Sequence, residues 1–135
     1  MDEAKCREIQ QWLIKSKHDI DSANVLINCE KPIFDTAVYH CQQAVEKGLK
    51  AYLTYRDTIF DKTHDLVSLV SICARLESSF SQWNEVSQRL TPYATDFRYP
   101  GIVLEPEKGE AEKAFADTER FLDFILKLLP DEVKP

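Results

Sequence analysis

The stretch Phe34-Asp35-Thr36-Ala37-Val38-Tyr39-His40-Cys41-Gln42-Gln43-Ala44-Val45-Glu46-Lys47-Gly48-Leu49-Lys50-Ala51-Tyr52-Leu53-Thr54-Tyr55 decides the fold. Its apolar residues Phe34, Val38, Cys41, Val45, Leu49 and Tyr52 recur at three and four, the period that gathers side chains on one face of an α-helix. Beside them run the small residues Ala37, Ala44, Gly48 and Ala51, a flank that a second helix can approach closely. The opposite side collects Thr36, His40, Gln43, Lys47, Lys50 and Thr54, a polar file with one titratable ring and two cations. Such a file suits phosphate or a partner's carboxylates. It equally suits the solvated outer face of a bundle helix, with Glu46 and Lys50 as an ordinary pair one turn apart.

Outward from this segment the same periodicity continues. Between Ala4 and about Asn28, Ile9, Trp12, Leu13, Ile20, Ala23, Leu26 and Ile27 mark a preceding helix, which Pro32 separates from the one just read. Residues 56–63 read as a loop. Thr63 is placed to cap a third helix with the inner face Leu66, Leu69, Val70, Cys73 and Leu76, and His64 then falls in its first turn. A fourth helix is expected from near Gln82 through Trp83, Val86 and Leu90, kinked by Pro92 before Tyr93, Ala94 and Phe97. Tyr99-Pro100-Gly101 ends it, and a loop runs to about Glu105. Pro106 suits the first position of a last helix, whose stripe is Ala111, Phe115, Thr118, Leu122, Ile125 and Leu129, stopping at Pro130. No alternating run suggests a strand. The pattern predicts an all-α chain in which residues 1–135 form one domain, an antiparallel up-and-down bundle of about five helices, similar to a four-helix bundle.

Charge and composition narrow the function. With 17 basic and 23 acidic residues the net charge is −6, so no overall positive field draws in a nucleic-acid backbone, DNA is not an expected partner, and any nucleotide or RNA contact must be local. The polar amino terminus and the lack of a long apolar run point away from a signal peptide or membrane span and towards the cytoplasm. Cys6, Cys29, Cys41 and Cys73 form no Cys-x-x-Cys pair and read as reduced, mostly buried thiols. Neither a metal site nor a cofactor is expected, because cysteine and histidine spacings fit no zinc pattern and no two helices carry Glu-x-x-His. Trp12, Trp83, Tyr93 and Phe97 supply more large apolar groups than a small bundle must bury, which favours a dimer.

The segment Tyr39-His40-Cys41-Gln42-Gln43-Ala44-Val45-Glu46-Lys47-Gly48-Leu49-Lys50-Ala51, followed by Thr63-His64-Asp65-Leu66 and then by Arg98-Tyr99-Pro100, resembles the small prokaryotic HEPN domain family. The resemblance covers nearly the whole chain, since the order of elements is shared from end to end. It implies a helical bundle, usually a homodimer, often encoded beside a minimal nucleotidyltransferase and linked to nucleotide binding or toxin–antitoxin systems. Carried over by position, the recurring polar residues are His40, Gln43, Lys47, Lys50, His64, Arg98 and Tyr99, chemistry suited to a phosphate-bearing ligand. One branch of the family comprises ribonucleases, which carry an arginine followed after about four to six residues by a histidine. Here His18, His40 and His64 all lack an arginine at that spacing; the nearest is Arg56, with seven residues between it and His64. The resemblance therefore favours binding over catalysis, with metal-independent RNA cleavage or a purely structural adaptor as alternatives.

Overall fold

In the computed structural model, which describes residues 1–101 and 105–135, the chain is all-helical. The expected loop between Gly101 and Glu105 lies partly outside the described residues. Five α-helices are present among those described: α1 (Glu3–Asn28), α2 (Phe34–Tyr55), α3 (Leu66–Leu76), α4 (Asn84–Leu90) and α5 (Lys108–Lys127). Three short 3₁₀ segments, Ser78–Trp83, Thr91–Ala94 and Asp131–Val133, link or extend them.

Both long N-terminal helices form where the periodicity places them. Asp2 caps α1 by accepting from the Lys5 amide at 2.8 Å, and after Pro32 the chain reverses, with the Ile33 amide donating to the Leu26 carbonyl. The contacts between α1 and α2 pair Lys5 with Tyr55, Trp12 with Lys50, Ser16 with Ala44 and Asp19 with His40. One number falls as the other rises, so the helices run antiparallel. The small-residue flank of α2 is used as its composition requires. Ser16 Oγ donates to the Ala44 carbonyl at 2.7 Å, and a Cβ on Gly48 would stand 2.9 Å from Leu122 Cδ2 and 3.3 Å from Ile125 Cδ1 on α5. Because α2 lies between α1 and α5, Val38, Cys41, Val45 and Leu49 are fully buried, each large apolar side chain contributing about 1.5–3 kcal/mol.

The end of α2 is a Schellman motif: the Thr58 amide donates to Leu53, the Asp57 amide donates to Thr54, and Asp57 takes a left-handed φ of 53°. This turn launches residues 56–65 back over the polar side of α2. The cap of α3 is two residues later than expected. Asp65, not Thr63, accepts from the Val67 amide, while Thr63 Oγ1 accepts from Asp65, so His64 stands before the helix rather than in its first turn.

The fourth segment departs further from expectation. It is not one kinked helix but a 3₁₀ turn, the short α4, and a second 3₁₀ turn that contains Pro92. Likewise Pro106 precedes α5, which begins at Lys108. The large rings thought surplus pack within the chain: Trp83 stacks on Phe121 at 4.5 Å, Trp12 meets the Phe60 ring edge-on, and Tyr93 packs against Phe97. Cys41 and Cys73 are buried, but Cys6 is half-buried and Cys29 exposed. No helix among the described residues is long and apolar enough to cross a membrane.

The tight contact at Gly48 yields a test. Gly48→Val forces a branched side chain against Leu122 and Ile125 and should lower stability by about 1–3 kcal/mol. Urea unfolding measures it, and an unchanged midpoint would show that α5 does not press on α2 there.

Candidate functional site

The polar file of α2 is not a solvated face. Gln43 and Lys50 are buried, and His40 and Lys47 are only partly exposed. Burial of cations demands acceptors, and two carboxylates supply them.

The first is Asp19 of α1, itself buried at 7% exposure. Its Oδ1 lies 2.8 Å from His40 Nδ1 and its Oδ2 lies 2.6 Å from Lys47 Nζ. His40 and Lys47 are two turns apart on α2, so one carboxylate bridges both. A carboxylate only accepts, which places a proton on His40 Nδ1 and leaves Nε2 turned to other partners.

The second is Glu46 of α2, at 4% exposure. Its Oε2 accepts from Lys50 Nζ at 3.0 Å, and its Oε1 receives His64 Nδ1 at 2.8 Å and Gln42 Nε2 at 3.2 Å. Gln42 Nε2 also donates to the His64 carbonyl, and Gln43 Nε2 donates to Gln42 Oε1. Lys50 Nζ lies near the rings of Trp12 and Phe60, at 5.6 and 5.9 Å from their centroids. This network closes the 56–65 loop onto α2.

Arg98 follows a different pattern. Its guanidinium carbon sits 4.2 Å from the centroid of the Tyr39 ring, a cation–π contact that uses none of the guanidinium N–H donors. Arg98, Tyr39, His40, Phe97, Asp35 and Thr36 line one open concavity of about 330 Å³. On their other side His40 and Thr36 border a wider recess of about 710 Å³ with His18, Asp21, Ser22, Val25 and Leu26.

Of the residues singled out in the sequence, His40 and Arg98 therefore share a concavity, and Lys47 joins them through Asp19. Gln43, Lys50 and His64 gather around Glu46 instead. Tyr99 is 74% exposed and lines neither recess. The sequence reading missed Asp19 and gave Tyr39 and Gln42 no role. Asp19 had a signal: it falls within the three-four stripe of α1, between Ser16 and Ala23, where a charge needs a partner. The buried thiols offer no nucleophile near neutral pH, since burial pushes both Cys41 and Cys73 up to about 12. Among the described residues no three histidine, cysteine or carboxylate side chains group so as to hold a metal ion.

Comparison with known proteins settles the lineage. The family model described as HEPN domain matches residues 9–129. The chain belongs to the HEPN domain family. In fold this HEPN chain is similar to the crystal structure of TT1696 from Thermus thermophilus, at 22% identity and a TM-score of 0.76 over 90% of this chain and 98% of that one. It is likewise similar to ST0689, described as an archaeal HEPN homologue, at 18% identity and a TM-score of 0.70 over 89% and 96% of the two chains. No curated protein sequence matches it.

The Glu46 network predicts unequal costs for its members. Glu46→Ala strands the buried Lys50 ammonium and should cost about 3–5 kcal/mol, whereas His64→Ala, at an exposed ring, should cost less than about 1 kcal/mol. Chemical denaturation of the two variants checks the order, and equal losses would contradict it.

Proposed function

We propose that this HEPN chain binds a phosphate-bearing ligand, a nucleotide in the first instance, at the concavity shared by His40 and Arg98. In this reading it works as a cytoplasmic homodimer beside a minimal nucleotidyltransferase, in a toxin–antitoxin type of system. The observation that carries the reading is the pairing of an imidazole fixed at Nδ1 with a guanidinium held on a ring, both facing one open recess. Arginine grips two phosphate oxygens through its planar fork, and His40 Nε2, which carries a lone pair when Nδ1 holds the proton, accepts from a ligand hydroxyl such as that of a ribose. Lys47, held by the other oxygen of Asp19, adds positive charge behind the ring. The family placement agrees with a nucleotide-linked role. Exposed Val25, Ile33 and Tyr99 supply apolar surface for a second subunit.

Gln43, Lys50 and His64 take a different part in this reading. Their donors are engaged on Gln42 and Glu46 rather than on ligand, and His64 thereby ties the loop to α2.

A second reading rests on one observation, the Asp19–His40 contact. A carboxylate on Nδ1 orients an imidazole for proton transfer at Nε2: in metal-independent RNA cleavage Nε2 takes the proton of a 2′-hydroxyl as its oxygen bonds the adjacent phosphorus, Arg98 stabilises the phosphorane charge, and the proton passes to the 5′-oxygen as the P–O5′ bond breaks to leave a 2′,3′-cyclic phosphate. Incubation with mixed RNA separates the two readings, because cleavage abolished by His40→Ala selects catalysis.

Calorimetric titration with ATP and other nucleotides tests the binding reading. His40→Ala and Arg98→Ala should each weaken affinity about tenfold to a hundredfold, whereas His64→Ala should leave it unchanged. Absence of binding to the chain alone and with a partner nucleotidyltransferase overturns the proposal, as does equal sensitivity to His64→Ala.

A further inference from the structure

A third buried carboxylate lies away from both recesses of α2. Asp117 of α5 is 3% exposed, and its Oδ2 accepts from Arg89 Nη2 of α4 at 2.8 Å. Arg120 Nη2 donates to its Oδ1, and Lys113 Nζ lies 3.9 Å from Oδ2. One cation neutralises a buried carboxylate; here three converge on it. Their side chains remain 43%, 62% and 63% exposed for Arg89, Arg120 and Lys113, so the unspent donors face solvent. Each guanidinium gives one Nη2 to Asp117 and makes no other hydrogen bond among the described residues, which leaves Nε and Nη1 of both.

We propose that Arg89, Lys113 and Arg120, gathered on Asp117, form a second anion site that takes a phosphate group at the α4–α5 face. The buried carboxylate holds two long side chains in place, so much of the entropy that a free arginine loses on gripping an anion is already spent. Against Asp117 and Glu110 the three cations leave a net positive charge, and the planar forks of the two arginines suit the paired oxygens of a phosphate. A concavity of about 260 Å³ opens beside Arg89 and Lys113, with Pro92, Tyr93, Glu110 and Asp117 also in its wall, while Arg120 reaches Asp117 from outside it. Glu110 accepts from the Tyr93 hydroxyl at 2.6 Å and marks the acidic edge of the site. This concavity shares no residue with the one lined by His40 and Arg98, so the site stands or fails independently of the function proposed above. The net charge of −6 disfavours diffuse anion binding, so occupancy here requires the local cluster.

The phosphate group has three sources, and site-resolved amide NMR of the full chain separates them. Inorganic phosphate, a nucleoside monophosphate and a short single-stranded oligonucleotide are titrated at constant ionic strength. At least one should shift the amides of Ser87–Leu90 and Lys113–Arg120 at millimolar concentration, and the tightest identifies the source. The double variant Lys113→Gln/Arg120→Gln keeps Arg89 on Asp117, so the fold is retained, and should weaken those shifts roughly tenfold. Lys15→Gln/Lys31→Gln removes the same charge elsewhere and should leave them unchanged. Silence of the site with all three probes, or equal weakening by both double variants, overturns the proposal.

Discussion

Two carboxylates buried between helices organise this end of the bundle. Asp19 enters from α1 and Glu46 from α2, and neither can stay charged in the interior without donors on both oxygens. Three of the donors, His40, Lys47 and Lys50, come from the file that periodicity places opposite the apolar stripe of α2, and Gln42 and the loop residue His64 supply the others. Asp19 takes His40 and Lys47 and so fixes the register of α1 against α2. Glu46 takes Lys50, Gln42 and His64 and so fixes the loop that leads to α3. Polar groups thereby do what apolar packing alone does poorly: they distinguish one register from its neighbours.

The same pairing divides the file by chemistry. A lysine that is itself buried and whose charge is met by a buried carboxylate has little left to offer a ligand, and Lys50, packed near two rings as well, is structural in character. His40 differs because the imidazole has two nitrogens, and holding one directs the other. Arg98 differs because it rests on the Tyr39 ring, which costs it none of its donors. The recess between them is where, among the described residues, the second imidazole nitrogen of His40 and the guanidinium donors of Arg98 meet from two distant segments.

Much of the architecture is legible in the residues because α1, α2 and α5 are long, and their stripes repeat often enough to outvote local propensity. Shorter elements are read less well. Thr63 and Asp65 both offer cap oxygens at the start of α3, and sequence alone does not rank them; around Pro92 too few residues are helical for a period to show. For the site, the pattern of His40 and Arg98 was visible and their convergence was not. Spacing along one helix says which side chains share a face, but the acceptor that meets them belongs to another helix. Asp19 was legible only as a charge inside an apolar stripe, a signal easily passed over beside the more conspicuous basic residues.

The central claim is that Asp19 holds the imidazole of His40 by Nδ1 and frees Nε2 for the recess. Long-range proton–nitrogen correlation of the neutral ring, recorded on uniformly nitrogen-15-labelled protein, reads that tautomer directly. The proton is expected on Nδ1 of His40, with Nε2 unprotonated. A ring found in the Nε2–H form, as in an unconstrained histidine, would contradict it.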